Sequence, residues 1–379
     1  MPKAGVPLLS GSTVPQLRLI SSAKRSLPGF LLVVAAPFLL TSFGSAEAAR
    51  VAGAPKRQLP SVVTAPSAGG TLTAFESGEY LATAADQQTE TLMGLRPQPW
   101  VDLTPDGLAI PNDPGTVEVQ FQGGDPSQRW ADIVSDPTRP DNHALGFFLR
   151  AANVSGDEDT DPKGRVQLNA YDPNAMHARE IRFSTRMYLP ADVGLLSRMN
   201  GTIDWLTVSE WWNDAGWTGQ PYPFRVSVNI VKPVKRSNTP LYFQARAQSM
   251  DLLSRNWSRT VWQVTNRAVP VPIGKWITLE YSYLEGNATT GRFYLAMTPD
   301  GGSRKVLVDI RSWTHHPENP APDGVTHVNP LKLYTSKPVI DYVRNAGGVL
   351  SVYWDDPAFR LCAERGPENS SPCAPASFQ

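Results

Sequence analysis

Short apolar and aromatic segments, separated by proline, glycine, asparagine and aspartate, recur along the chain from Gly115 onward. The chain contains 35 prolines and 29 glycines, which favour strands and turns over long helices. Thirteen such segments follow one another without a convincing amphipathic helix between them: 116–122, 144–152, 165–170, 180–189, 204–212, 224–231, 241–248, 260–264, 276–284, 292–297, 305–310, 331–335 and 349–355. This order predicts an antiparallel all-β domain.

Two of these segments alternate between apolar and polar residues. The polar positions are Arg225, Ser227 and Asn229 in the first, and Gln244, Arg246 and Gln248 in the second. Alternate residues of a strand point to opposite faces, so one face enters a core and the other carries long polar side chains. A solvated outer face would give the same pattern. The preference for Arg, Gln and Asn over Lys and Glu favours a groove that binds sugar hydroxyls and carboxylates.

The amino terminus has the order of a secretory signal. Lys24 and Arg25 precede an apolar run over residues 30–43, which is followed by a small-residue stretch ending at Ala48. This arrangement predicts a signal peptide over residues 1–48, hence a secreted or periplasmic protein. A membrane anchor is the alternative, but the run is shorter than the ~20 residues that span a bilayer.

The rest of the chain divides by composition. Residues 49–98 are rich in Ala, Pro, Ser and Thr, which predicts a disordered linker without compact structure. Residues 99–361 are predicted to form the β domain, and residues 362–379 a tail. Cys362 and Cys373 are the only cysteines, and outside the cytoplasm they are expected to form a disulfide.

Charge and composition limit the possible partners. The formal net charge of the whole chain is zero, and removal of the signal peptide makes the chain slightly acidic. Neither nucleic acid nor an anionic membrane is therefore an expected partner, and no membrane span remains after cleavage. Hydrophobic residues make up 41% of the chain, which is enough for a packed core. The expected form is a monomer.

Five segments carry a resemblance to a known superfamily. They are GRVQLN at 164–169, the stretch 205–213 that ends in EWWN, FRVSVN at 224–229, GKWITLE at 274–280 and LSVYWDD at 350–356. Their order resembles the concanavalin A-like jelly roll of polysaccharide lyases and glucanases. The resemblance implies an antiparallel β-sandwich with a concave groove, and a polysaccharide as the substrate.

The resemblance also suggests positions for site residues. Alginate and glucuronan lyases of this superfamily carry an Arg-x-Glu-x-Arg strand, a Gln-x-His strand, and a late strand with Lys and Tyr. The matching positions here are Arg165, Gln167 and Asn169 on the first strand, Glu210 and Trp212 on the second, and Lys332 and Tyr334 on the third. The second strand lacks the histidine, so the His/Tyr mechanism of those lyases does not transfer unchanged.

β-Elimination from a uronate needs a group that neutralises the carboxylate, a base and an acid. Tyr334 is the candidate base and acid, with its pKa of about 10 lowered by nearby cations. Arg165, Lys332 and Lys337 are the candidate cations, and an amphipathic strand tyrosine is the alternative interpretation of Tyr334. The predicted substrate-binding residues are Arg165, Gln167, Asn169, Trp212, Arg225, Asn229, Gln244 and Arg246.

Two other functions stay open. A glycoside hydrolase would use Glu210 as an acid of raised pKa with a second carboxylate. Asp204 lies too far along an extended strand to be that partner, which leaves Glu280 or Asp309 from other strands. A non-catalytic carbohydrate-binding protein would use the aromatic cluster of Trp205, Trp211, Trp212, Trp217 and Tyr222, although such a cluster also suits core packing.

Metal and histidine positions complete the predicted site. Asp157, Asp159 and Asp161 form an acidic run that suits a structural calcium ion, and Asp356 beside Asp355 is a second candidate. No cofactor is required for the chemistry. The pair His315 and His316, in a proline-rich loop, is a candidate for the histidine that the second strand lacks.

Overall fold

The computed structural model of the chain describes residues 80–83, 89–93, 117–121, 126–152, 162–171, 178–213, 221–254, 257 and 259–362. Within these ranges, seventeen strands form two antiparallel sheets. The strands are β1 (Tyr80–Thr83), β2 (Thr89–Met93), β3 (Val117–Phe121), β4 (Arg129–Ser135), β5 (His143–Leu149), β6 (Lys163–Tyr171), β7 (Glu180–Tyr188), β8 (Leu206–Asn213), β9 (Phe224–Val231), β10 (Tyr242–Ser249), β11 (Arg259–Pro270), β12 (Trp276–Leu284), β13 (Arg292–Pro299), β14 (Lys305–Arg311), β15 (His327–Asn329), β16 (Lys332–Ser336) and β17 (Leu350–Cys362). Two α-helices of the described ranges, α1 (Ala191–Gly194) and α2 (Lys337–Asn345), lie between strands.

The strands of the described ranges divide into a ten-stranded and a seven-stranded sheet. The ten-stranded sheet has the order β1-β2-β3-β6-β15-β8-β9-β10-β11, and β16 also pairs with β6 and β8. β15 and β16 therefore follow each other in the same gap between β6 and β8. The seven-stranded sheet has the order β14-β13-β12-β7-β17-β5-β4.

The core lies between the two sheets. In β7 and β12 buried and half-buried residues alternate, as expected for strands with one face in the core. Trp211 of β8 bridges the layers, with its ring 5.1 Å from Tyr281 of β12 and 5.4 Å from Phe293 of β13. The predicted antiparallel β-sandwich is confirmed.

All thirteen predicted strands are present, but the chain contains elements that the sequence did not indicate. β1 pairs with β2, and β2 pairs with β3, which corrects the prediction that residues 49–98 hold no compact structure. β4 and β15 were not predicted, and the three residues of β15 are too few to show an alternating pattern. Helix α2 begins at Lys337 and buries Val339, Ile340 and Val343.

Several predictions lie outside the described residues. These are the signal peptide, most of the linker, and the disulfide, since the side chain of Cys362 and all of Cys373 are not described. The helices in the described part of the chain are too short and too polar to cross a bilayer.

Candidate functional site

Strand register collects the predicted polar residues on one face of the ten-stranded sheet, here called the polar face. Residues opposite each other on neighbouring strands share a face, so register alone places them in rows. One row holds Arg165, Tyr334, Thr207, Asn229 and Gln244. A second holds Asn329, Glu210, Ser227 and Arg246, and a third holds His327, Trp212, Arg225 and Gln248.

A bulge in β8 brings Glu210 to the polar face. The register of β8 against β9 shifts between Thr207 and Ser209, which inserts one residue into β8. Thr207 and Glu210 consequently both face β9 partners on the polar face, although they are three positions apart. Simple counting by twos along this strand therefore misplaces one of them.

Glu210 and Lys332 form a buried ion pair at the centre of the polar face. Glu210 is 4% exposed and Lys332 is 1% exposed. Arg225 lies 3.5 Å from the other oxygen of Glu210. Burial alone would raise the pKa of Glu210, but Lys332 and Arg225 outweigh it and hold that pKa below its usual value. Burial lowers the pKa of Lys332 to about 8, against the opposing attraction of Glu210.

This ion pair argues against Glu210 as a hydrolase acid. Such an acid needs a raised pKa, whereas the pKa of Glu210 is lowered. The proposed partners also lie elsewhere. Glu280 and Asp309 belong to the seven-stranded sheet, where they bind Arg304 and Arg292, and Asp204 is exposed before β8 begins. Among the described side chains of the three rows, Glu210 is the only carboxylate.

Tyr334 lies among cations and an aromatic ring. The Arg165 guanidinium carbon is 6.0 Å and the Lys332 ammonium 5.2 Å from the Tyr334 ring centroid. The Trp205 ring lies 4.7 Å from that of Tyr334. Lys337 does not join this group: it begins helix α2, is exposed, and forms an ion pair with Asp341. The prediction that Lys337 acts on Tyr334 is wrong.

Two further arginines lie toward the β9 and β10 side. The Arg225 guanidinium donates two hydrogen bonds to Gln248 Oε1, at 3.1 and 2.9 Å, and lies 4.8 Å from the Trp257 ring centroid. Burial and repulsion from Arg225 lower the pKa of Arg246. Among the described side chains, these cations, Arg165, Arg225, Arg246 and Lys332, thus meet two carboxylates, Glu210 and the exposed Asp204 near Arg246, so the polar face is cationic.

A chain of buried carboxamides continues the polar face toward β3. Gln167 Nε2 donates to Asn169 Oδ1 at 2.7 Å and to Gln120 Oε1 at 3.1 Å. Asn169 Oδ1 also accepts from Asn329 Nδ2 at 2.7 Å. Gln244, at the opposite side, donates to Thr265 Oγ1 at 2.9 Å.

The histidine of the polar face is His327, and the sequence did not identify it. His327 is fully buried on β15, opposite Trp212, and the two rings stack at 4.5 Å. His315 and His316 instead bind main-chain groups: His315 Nδ1 lies 2.9 Å from His316 O, and His316 Nε2 lies 3.0 Å from Met250 O. Neither histidine belongs to the three rows, so the structure does not support the hypothesis that this pair supplies the missing histidine.

The structure brings together every predicted catalytic and substrate-binding residue on the polar face: Arg165, Gln167, Asn169, Glu210, Trp212, Arg225, Asn229, Gln244, Arg246, Lys332 and Tyr334. It adds His327 and Asn329, whose strand is too short to be recognised from a pattern. Trp211 belongs to the core, and Trp217 lies outside the described residues.

The calcium candidates have no common site in the described part of the chain. Asp157, Asp159 and Asp161 are not described. Asp356 is exposed, with a φ of 44°, and Asp355 is buried and accepts a hydrogen bond from Asn142. Burial and repulsion from Asp356 raise the pKa of Asp355 to about 7. No group of three or more His, Cys, Asp or Glu residues in the described ranges is placed to hold a metal.

Neither a family model nor a curated protein matches the sequence. Solved structures similar to this one include an alginate lyase from Aplysia kurodai, with 11% identity and a TM-score of 0.37 over 62% of this chain and 89% of that chain. An endo-β-1,4-glucuronan lyase from Trichoderma reesei has 14% identity and a TM-score of 0.38 over 62% and 88%. An alginate lyase from Chlorella virus has 9% identity and a TM-score of 0.32 over 62% and 90%.

Proposed function

We propose that the chain is a secreted polysaccharide lyase that cleaves a uronate-containing glycan by β-elimination on the polar face. The observation that carries this proposal is the excess of cations around Tyr334. Among the described residues, four cationic side chains lie on the polar face against Glu210, which is already paired with Lys332, and the exposed Asp204 near Arg246. Such a surface suits a polymer that carries carboxylates.

The reaction needs three groups. The proton on the carbon beside the carboxylate leaves with a base, a carbon–carbon double bond forms, and the glycosidic carbon–oxygen bond breaks as an acid protonates the leaving oxygen. Neutralising the carboxylate makes this proton acidic, and an arginine does so with two parallel hydrogen bonds. Arg165 and Arg225 are half-buried and can do this at the surface of the polar face.

Tyr334 is the proposed base and acid. Its half-buried ring lies beside Arg165 and Lys332, whose positive charges favour the phenolate. The Lys332 ammonium keeps its position beside Tyr334 because it binds Glu210 and Asn329. Glu210 acts through Lys332 as a positioning residue.

Polar atoms at both ends of the polar face support an extended ligand. Gln167 Oε1, Gln244 Oε1 and Arg246 Nε are buried and have no hydrogen-bond partner among the described residues. Buried polar atoms are normally paired. Gln167 on β6 and Gln244 on β10 are separated by four inter-strand steps, which is roughly 19 Å. A glycan that crosses the strands would offer hydroxyls and carboxylates to these atoms.

The proposal is tested by incubating the purified protein with acidic and neutral polysaccharides. Ultraviolet absorbance from a new unsaturated sugar end is expected with a polyuronate. Tyr334→Phe should lower turnover by roughly 10² to 10⁴-fold without changing thermal stability. Tyr294→Phe is the matched control, because Tyr294 also lies near two arginines, Arg292 at 5.7 Å and Arg304 at 5.5 Å, but on the seven-stranded sheet.

Two other results would reject the lyase. New reducing ends without absorbance would indicate a hydrolase, and retention on a glycan column without cleavage would indicate a binding protein. Full activity of Tyr334→Phe would remove Tyr334 as the catalyst. Secretion is tested separately, by locating the protein and sequencing its mature amino terminus, which should begin after Ala48.

A further inference from the structure

Asn329 makes contacts that link the ion pair to the buried histidine. Its Oδ1 accepts hydrogen bonds from Trp212 Nε1 at 3.0 Å and from Lys332 Nζ at 3.3 Å. Its Nδ2 donates to Asn169 Oδ1 at 2.7 Å and lies 3.0 Å from His327 Nε2. Asn329 and His327 are both fully buried.

These partners leave the Asn329 carboxamide one orientation. An indole N–H and an ammonium group can only donate, so the atom that faces Trp212 and Lys332 must be the oxygen. The NH₂ group must therefore face His327. Because this group donates, His327 Nε2 must accept, and the proton of the neutral imidazole must be on Nδ1.

We propose that Asn329 is a positioning residue of the polar face, which fixes His327 as the neutral Nδ1–H tautomer and holds the Lys332 ammonium beside Tyr334. The importance of this arrangement for turnover rests on the proposed lyase function. The assignment of the His327 tautomer does not depend on that function, because it follows from the hydrogen bonds of Asn329 alone.

The charges around His327 favour the same state. Lys332 on β16 and Arg165 on β6 disfavour an added positive charge, while Glu210 on β8 favours it. Burial is the largest influence, and together with the two cations it lowers the pKa of His327 to about 3. A protonated His327 would also set its Nε2–H against the NH₂ group of Asn329. His327 is therefore a neutral hydrogen-bond donor on the polar face at neutral pH.

The tautomer can be measured on the wild-type protein by nitrogen-15 NMR of the histidine rings. Of the five histidines, His315 should show the Nδ1–H tautomer because its Nδ1 faces the His316 carbonyl. We expect His327 to show the same tautomer and to stay neutral down to about pH 4. His327→Gln identifies that signal by its loss. An Nε2–H tautomer for His327, or titration near its ordinary pKa of about 6.5, would overturn the proposal.

Asn329→Asp tests the positioning role with an almost isosteric change. A carboxylate oxygen would replace the NH₂ group, so the pKa of His327 should rise by roughly two units or more. Asn229→Asp is the matched control: Asn229 is equally buried on the polar face but binds Thr207 and Ser227, so His327 should keep its tautomer. An unchanged His327 in Asn329→Asp would refute the proposal.

Turnover gives a separate readout. If the chain is a lyase, Asn329→Asp should lower kcat by on the order of 100-fold with little change in KM, because the Lys332 ammonium shifts relative to Tyr334. Its pH profile should gain an inflection at the new pKa of His327. An unchanged kcat and pH profile, with an altered His327 tautomer, would reject the positioning role alone. Absence of any lyase activity would reject the proposed function and leave the NMR result valid.

Discussion

Replacing Lys332 with methionine should destabilise the fold in a strongly pH-dependent way. Methionine keeps the volume of the aliphatic stem but removes the ammonium, so Glu210 loses its closest cation. Glu210 is then a buried carboxylate whose remaining ion-pair partner among the described residues is Arg225, at 3.5 Å. Removing one partner of a buried pair typically costs about 3–5 kcal/mol.

The loss of stability in Lys332→Met has an upper limit, because an unpaired carboxylate can take up a proton. At pH 7 the medium is about 2.7 units above the reference carboxyl pKa of about 4.3, and each unit is worth about 1.4 kcal/mol, so protonating Glu210 costs about 4 kcal/mol. The remaining attraction of Arg225 brings our expected loss to about 3 kcal/mol at pH 7. At pH 5 the cost of protonating Glu210, and with it the upper limit of the loss of stability, falls to about 1 kcal/mol.

The pH dependence follows from the two folded-state pKa values. In the wild type the pKa of Glu210 is below its unfolded value, so its contribution to stability is present above about pH 4.3 and is lost as the pH falls through the folded pKa. In Lys332→Met the folded pKa is raised, so the stability of the variant falls as the pH rises above about 4.3. The difference between the two proteins should therefore widen from pH 4 to pH 7.

Urea denaturation at several pH values measures this difference, with m-values checked for equality. The double variant Glu210→Gln/Lys332→Met removes both charges and should recover most of the loss at pH 7. A loss of stability that is equal at pH 5 and pH 7 would refute the reasoning, because it would assign the whole effect to packing.

Two further variants test the seven-stranded sheet. Asp355 keeps a proton in the folded state up to its pKa of about 7, whereas the unfolded group loses it near 3.9, so the wild type should lose up to about 4 kcal/mol between pH 4 and pH 8. Asp355→Asn should remove this dependence, and a parallel pH curve for the two proteins in urea denaturation would contradict the expectation. Gly146→Ala should cost about 1–3 kcal/mol, since its Cβ would lie 2.6 Å from the Phe148 ring. An unchanged thermal midpoint would show that the ring moves aside freely.

Strand positions were predictable because alternation is a local property. The alternating residues of β9 and β10 carry Arg225, Asn229, Gln244 and Arg246, and register places all four on the polar face. The pattern of β6 likewise placed Arg165 and Gln167 together. The bulge in β8 was not predictable, because an inserted residue has no signature in the apolar pattern and depends on how β8 pairs with β9.

The charge state of Glu210 shows the limit of local reasoning. Its tryptophan neighbours suggested a raised pKa, but Trp211 turns into the core and Lys332, 122 residues away along the chain, pairs with the carboxylate. The sign of the pKa shift thus depends on a partner from another strand. The pKa of His327 likewise depends on Lys332, Glu210 and Arg165, which lie on other strands. The strand of His327 itself has only three residues.

The amino-acid sequence by itself determined the all-β class and which side of each long strand is polar, because both follow from residue order and the two-residue period of a strand. Only the tertiary structure decided which polar residues meet, that Glu210 is ionised, and that His327 rather than His315 or His316 belongs to the polar face. These properties depend on register, burial and the charges of distant strands, and none of them is encoded within a single segment.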